Sequence, residues 1–211
     1  MNRNVKVTLL WQGFNSSSSS IYGGAALTAF LFIIAKERSS LVGYVQGING
    51  LAMVLAAIPA GILADRCRRD TIIRASSVVY LLALASLAHA LLAENYLSCA
   101  VAMALYGAAY GTCNPAMESL FADSLETGTR SKAMSMKHIV MMAAGGIGPT
   151  LGVALFAGLG DRWELGELRI VMCVGGALSV VPIALLFFLS DDYSLGIKSE
   201  AVGAAAGGGT G

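Results

Sequence analysis

Five charged side chains crowd into six residues, Asp65, Arg66, Arg68, Arg69 and Asp70, in a chain of which only 13% is charged. Asp65 and Arg69 stand four apart and would pair on one face if a helix persisted through the stretch. Exposed to water, such a pair contributes about 0–1 kcal/mol. Partly buried between helices it becomes a two-state device, because breaking and remaking it favours one arrangement over another. The plainer alternative is that these cations only anchor helix ends at a membrane surface. A second set is more extended. Tyr106, Tyr110, Asn114 and Glu118 recur every four residues, a polar stripe drifting around one broad helix face that hydrocarbon would reject. Glu118 is the only carboxylate well inside an apolar run, so proton coupling through it is the default functional hypothesis. With an interface near Ala122 it lies about 6 Å deep.

Holding these groups requires helices that cross a bilayer. The chain is 56% hydrophobic, against roughly half in ordinary globular domains, and its charged share is half the usual quarter. Spanning about 30 Å of hydrocarbon takes about 20 apolar residues whose backbone groups pair internally. Six stretches qualify, approximately 10–35, 41–64, 75–93, 97–122, 133–159 and 170–189. The expected fold is an all-α membrane protein with six transmembrane helices in residues 10–190. It would be flanked by a cytoplasmic tail at 1–9 and a disordered Gly/Ala-rich tail at 191–211. The serine run from Ser16 to Ser20 makes the first span the most polar, with a flexible linker as its alternative reading.

Lys and Arg are retained on the cytoplasmic side of helix ends. Placing the N-terminus inside puts ten of them there, Arg3, Lys6, Arg66, Arg68, Arg69, Arg74, Arg130, Lys132, Lys137 and Lys198, against four outside. A net charge of +1 without a basic block argues against nucleic acid as a partner. The lipid bilayer is the partner that the composition implies. Four scattered cysteines without a CxxC pair predict neither disulfides nor a metal site, and nothing calls for a cofactor. Glycine pairs at GxxxG spacing, Gly43 with Gly47, Gly107 with Gly111 and Gly148 with Gly152, predict close helix approaches.

The stretch Gly61-Ile62-Leu63-Ala64-Asp65-Arg66-Cys67-Arg68-Arg69-Asp70 resembles the signature GxLADRxGRR of the major facilitator superfamily, carried there between the second and third helices. Gly61, Leu63, Ala64, Asp65, Arg66 and Arg69 match. Arg68 replaces the glycine and Asp70 the last basic residue, which puts the tight turn in doubt. The resemblance implies that an acidic residue ending the fourth helix, here Asp123, joins the cluster and helps latch one state. Gly148-Pro149-x-x-Gly152 resembles part of a motif of the antiporter branch, with Pro149 expected to bend its helix. The family's first and fourth helices line a central cavity. By that resemblance Asn15, Tyr22, Gln46, Asn49, Tyr106, Tyr110 and Asn114 are candidates for the substrate wall. Tyr106 falls where proton-coupled members often carry an arginine.

The resemblance covers about residues 10–190, one six-helix half of a family whose members have two. It therefore implies a truncated product, or a chain that pairs with a second copy or a complementary C-terminal half. Transport of a small solute by alternating access is the expected function. A non-transporting membrane scaffold and an intramembrane enzyme are the alternatives, the latter lacking GxSxG, HExxH or any paired carboxylates in one span.

Overall fold

Lipid leaves the backbone no partner but itself, and the chain responds with helices throughout. The computed structural model describes residues 2–195 apart from Thr127 and Asp161; the side chain of Asp65, residues 196–211 of the expected disordered tail and Lys198 among them lie outside the described residues. Eight α-helices are found among the described residues: α1 (Arg3–Tyr22), α2 (Ala25–Ile34), α3 (Ser39–Arg66), α4 (Arg69–Ala93), α5 (Tyr96–Asp123), α6 (Arg130–Leu159), α7 (Leu165–Leu178) and α8 (Val180–Leu186). They form six rods, since α1 with α2 and α7 with α8 each make one crossing, divided at Gly23–Gly24 and at Ser179. Five rods are long and apolar enough to span a bilayer. The sixth, α5, has 28 residues, about 42 Å of helix, and carries the polar stripe.

Helix starts are marked by side chains that capture otherwise unpaired N–H groups. Asn95 accepts from the Leu97 and Ser98 amides, and Asn2 from the Asn4 amide. Asn2 opens α1 seven residues ahead of the expected span, and Asn4, Val5 and Thr8 are buried. The segment expected to be a free N-terminal tail is thus packed helix. Serines 16–20 are helical too. Ser17 Oγ donates to the Gly13 carbonyl, and the Ser18, Ser19 and Ser20 hydroxyls donate to carbonyls three residues back, so their polarity is satisfied within the rod. The linker reading fails for that reason. After α8, Asp191–Tyr193 forms a 3-10 turn held to α1: Asn4 Nδ2 donates to the Ser190 carbonyl at 2.8 Å and Asn2 Nδ2 to the Tyr193 carbonyl at 2.6 Å. Residues 191–195 therefore belong to the folded body.

Two sets of rods pack together. α5 lies between α3 and α4, while α1 packs on α6, α7 and α8, and α4 meets α8 across the sets. Of the glycine pairs, Gly107 and Gly111 face the α3 backbone so closely that a methyl group at either would overlap the Asn49 or Met53 carbonyl. A methyl at Gly148 would overlap Ser20 on α1, whereas Gly43, Gly47 and Gly152 face open space. Two apolar cores result, one around Phe30, Leu31, Cys99 and Met172, the other around Ile73, Cys113, Met117 and Leu186. Gly107→Val or Gly111→Val should therefore sharply lower the yield of monodisperse protein on size-exclusion chromatography. Gly43→Val and Gly47→Val should leave it unchanged.

Candidate functional site

The charged turn, the start of α1, the end of α5 and residues 190–195 meet at one end of the bundle. α3 stops at Arg66, Cys67 and Arg68 are extended, and α4 begins at Arg69. The helical continuity needed to pair Asp65 with Arg69 on one face is therefore broken. Arg69 instead reaches α5: its Nη1 donates to Asp123 Oδ2 at 2.5 Å, with both side chains about a quarter to a third exposed. Its backbone N–H, the first of α4, donates to Asp191 Oδ2 at 2.6 Å. A carboxylate from 122 residues away thus caps the helix, where the helix dipole favours negative charge. Arg130 on α6 approaches the other Asp123 oxygen at 3.8 Å and donates to the Ala122 carbonyl.

The departures from the motif compensate one another. Arg68 has φ −59° and ψ 127°, a conformation open to any residue, so the turn closes without glycine. Its guanidinium donates to both oxygens of Asp70, at 3.2 and 3.1 Å, and to Asp192 at 2.9 Å. Asp70 is buried and has Arg74 at 3.8 Å as a second cation. The Ser190 hydroxyl, and then Arg68, hold the Asp192 carboxyl below the usual range. A depressed carboxyl contributes above its unfolded pKa and is lost as pH falls through the lower folded value, so this contact is intact at neutral pH. Arg66 is exposed at the end of α3, and Gly61 faces open space.

Glu118 forms an ion pair with Lys137 of α6, whose ammonium also sits 5.4 Å from the Phe121 ring centroid. The sequence places Lys137 among the surface anchors; it is in fact only 7% exposed. A signal for the pair exists in the sequence. Glu118 lies five residues before the end of α5 and Lys137 seven after the start of α6, about 8 and 10 Å along antiparallel rods. Since α5 and α6 otherwise touch little, this pair and Arg130–Asp123 join the two helix sets at this end. Also missing from the sequence reading are Asn4, Ser190, Asp191 and Asp192, whose roles depend on the start of α1 and the start of α4 meeting the segment after α8.

Of the wall candidates, Asn15, Tyr22 and Tyr106 surround one narrow cavity between α1, α4, α5 and α8. Tyr106 stands edge-on to Tyr22, with ring centroids 6.0 Å apart, and to Tyr80, at 5.6 Å. Asn49 Nδ2 donates to the Met103 carbonyl at 2.8 Å, an interhelical bond joining α3 to α5. Gln46 is exposed on α3, and Tyr110 and Asn114 are half-buried along α5. α6 runs through Pro149 without interruption, and the Thr150 hydroxyl donates to the Gly146 carbonyl beside it. Gly148, Pro149 and Gly152 line a cleft of about 400 Å³ between the α1–α2 break and α6.

The sequence profile described as Major Facilitator Superfamily matches residues 13–206, from within α1 to beyond the 3-10 turn. The chain belongs to the major facilitator superfamily. Its members are membrane transporters, and this chain is a multi-pass membrane protein of that kind. A search among curated proteins finds no match. In this superfamily member the signature turn, Asp123 and the Glu118–Lys137 pair all lie at one end of the bundle.

Lys137 is nearly buried while the Glu118 side chain is 40% exposed, so the pair falls between the surface and interior limits. Lys137→Met or Glu118→Gln alone should cost about 1–3 kcal/mol of stability by leaving one group unmatched. The double variant should recover most of that loss, which a double-mutant cycle of melting temperatures measures.

Proposed function

We propose that the chain moves a small solute by alternating access, with the Arg69–Asp123 ion pair latching one of the two states. The carrying observation is that pair, 2.5 Å long, together with the Asp191 cap on the same residue. A single arginine thereby ties the start of α4 to the end of α5 and to the segment after α8. A local shift of the end of α5 away from the start of α4 would break the pair, and its partial burial makes the break costly enough to separate two states.

The opposing wall of the path is supplied by a complementary six-helix half or by a second copy. Supporting this, α3 and α6 bury the least of themselves within the chain and present glycines, Gly43 and Gly47 on α3 and Gly145 and Gly152 on α6, whose missing side chains no internal contact requires. Lipid provides no hydrophobic drive for helix association, so small residues on a rod's outer side favour a closely packed neighbour. Tyr110, Asn114 and Gln46 are the wall residues available to solute, and the few charges along the path suit a neutral or amphipathic compound. Glu118 takes part as half of the ion pair with Lys137, one of the two ion pairs that join α5 to α6.

The end bearing the signature turn is assigned to the cytoplasm by its excess of Lys and Arg. Cys67, exposed in that turn, is a native reporter. A membrane-impermeant maleimide should label it in inside-out vesicles and not in right-side-out ones; the reverse pattern would invert the topology. For the latch, Arg69→Ala and Asp123→Asn should each lower solute flux about tenfold or more in vesicles while membrane insertion, read by Cys67 labelling, stays at the parent level. Equal loss of flux and insertion would reduce the cluster to a topology anchor.

A further inference from the structure

The seam between the two apolar cores contains a polar group without a partner. Tyr80 on α4 is only 5% exposed, and its hydroxyl has no hydrogen-bond partner among the described protein atoms. A hydroxyl left so in an apolar interior carries a substantial desolvation penalty, and native structures seldom tolerate it. The same side chain lines the narrow cavity that Asn15, Tyr22, Tyr106 and Ser179 also line. Its free volume is about 20 Å³. Holding one water takes roughly 10–15 Å³ and two to four polar partners. The volume meets the first condition and is too small for a solute of metabolite size, and Asn15, Tyr22, Tyr106 and Ser179 are the wall residues that carry polar groups for the second.

A further feature of the wall points the same way. Pro182, which lines the cavity, has no N–H and so cannot supply the Leu178 carbonyl with its usual helical donor. In membrane helices, carbonyls freed by proline are commonly satisfied by serine or threonine hydroxyls or by ordered water. Here the Ser179 hydroxyl donates to the Gly175 carbonyl at 3.0 Å, so its own donor is committed while its oxygen can still accept.

We infer that this cavity is a binding site for a single water molecule, held by the Tyr80 hydroxyl and by polar groups of α1, α5 and the α7–α8 junction. It lies where Tyr106 touches both cores. The water there joins α4, from one helix set, to α1 and α8, from the other. The ligand is water itself, and the site is independent of the ion-pair latch and of the transported solute.

The test is Tyr80→Phe in the full-length purified protein, a change that keeps the ring and removes only the oxygen. A bound water that loses a partner destabilises the fold, so the melting temperature should fall by about 2–4 °C. If the hydroxyl is simply unsatisfied, removing it leaves the melting temperature unchanged or raises it, which overturns the inference. X-ray radiolytic footprinting gives a reading that does not depend on stability. Radicals formed from the bound water should oxidise Tyr22, Tyr80 or Tyr106 in the folded protein despite their burial, and labelling of Tyr22 and Tyr106 should drop severalfold in Tyr80→Phe. Labelling absent from the parent, or unchanged in the variant, likewise overturns it.

Discussion

Contact between α3 and α5 is the constraint on which the remaining architecture depends. In water, two apolar helices associate because association removes apolar surface from solvent; in lipid that force is absent, and packing and interhelical hydrogen bonds must suffice. Gly107 and Gly111 bring the α5 backbone against the Asn49 and Met53 carbonyls of α3, and the Asn49 amide then reaches the Met103 carbonyl at 2.8 Å. Close approach and hydrogen bond reinforce each other, since the amide can reach only if no side chain intervenes. α3 is fixed by that one neighbour and contributes little else to the interior. Its opposite side, with Tyr44, Ile48, Leu51, Leu55 and Ile58, remains exposed along much of its length.

The ion pairs follow from how the rods end. Charged groups are expensive in hydrocarbon, so they collect where rods leave it, and antiparallel rods bring the charges of different connectors to the same level. At one end this yields the Arg69–Asp123 pair and the Arg68–Asp70–Asp192 cluster; at the other, Arg169 of α7 pairs with Glu94 at the end of α4. Glu94 itself takes φ 50° in the left-handed region, which a non-glycine residue occupies at a cost of about 1–2 kcal/mol. The two ends differ in kind. The Arg69 end joins α1, α4, α5 and the segment after α8, while the Arg169 end joins single rods in pairs.

Five of the six rods were legible from local composition, since about twenty apolar residues whose backbone must pair with itself read as a span, and α5 was legible by its length despite its polar stripe. Asp123 was legible as a partner of the signature turn only through family resemblance, and the geometry brings it to Arg69. What composition could not reveal is where distant segments meet. In the sequence Asp191 reads as the start of a Gly/Ala-rich tail, yet it caps α4; Asn4 reads as part of a cytoplasmic tail, yet it is fully buried against Ser124 and Ser190. Lys137 reads as a surface cation because positive charges near helix starts usually are. The pairing of Asp65 with Arg69 assumes a continuous helix, and Cys67 and Arg68 interrupt it.

With Arg68 in place of the motif's glycine and Asp70 in place of its final basic residue, the turn still closes and its charges are paired. A glycine is needed at such a position only if the backbone there is left-handed or a neighbour lies too close for a side chain, and with φ −59° and Arg68 exposed neither holds. The freed position can carry a guanidinium. That guanidinium lies two residues from a site that now bears a buried carboxylate, and an unpaired carboxylate there would be far costlier than either substitution alone. Arg68 neutralises Asp70 through a bidentate contact, and Asp192 draws the segment after α8 into the same cluster. Arg69, relieved of any need to serve Asp70, is left to Asp123. The two substitutions thus divide between two arginines what one crowded turn would otherwise ask of all its cations: Arg68 fastens the turn to its own chain, and Arg69 spans from α4 to α5, the contact that a rearrangement of the helices would have to break.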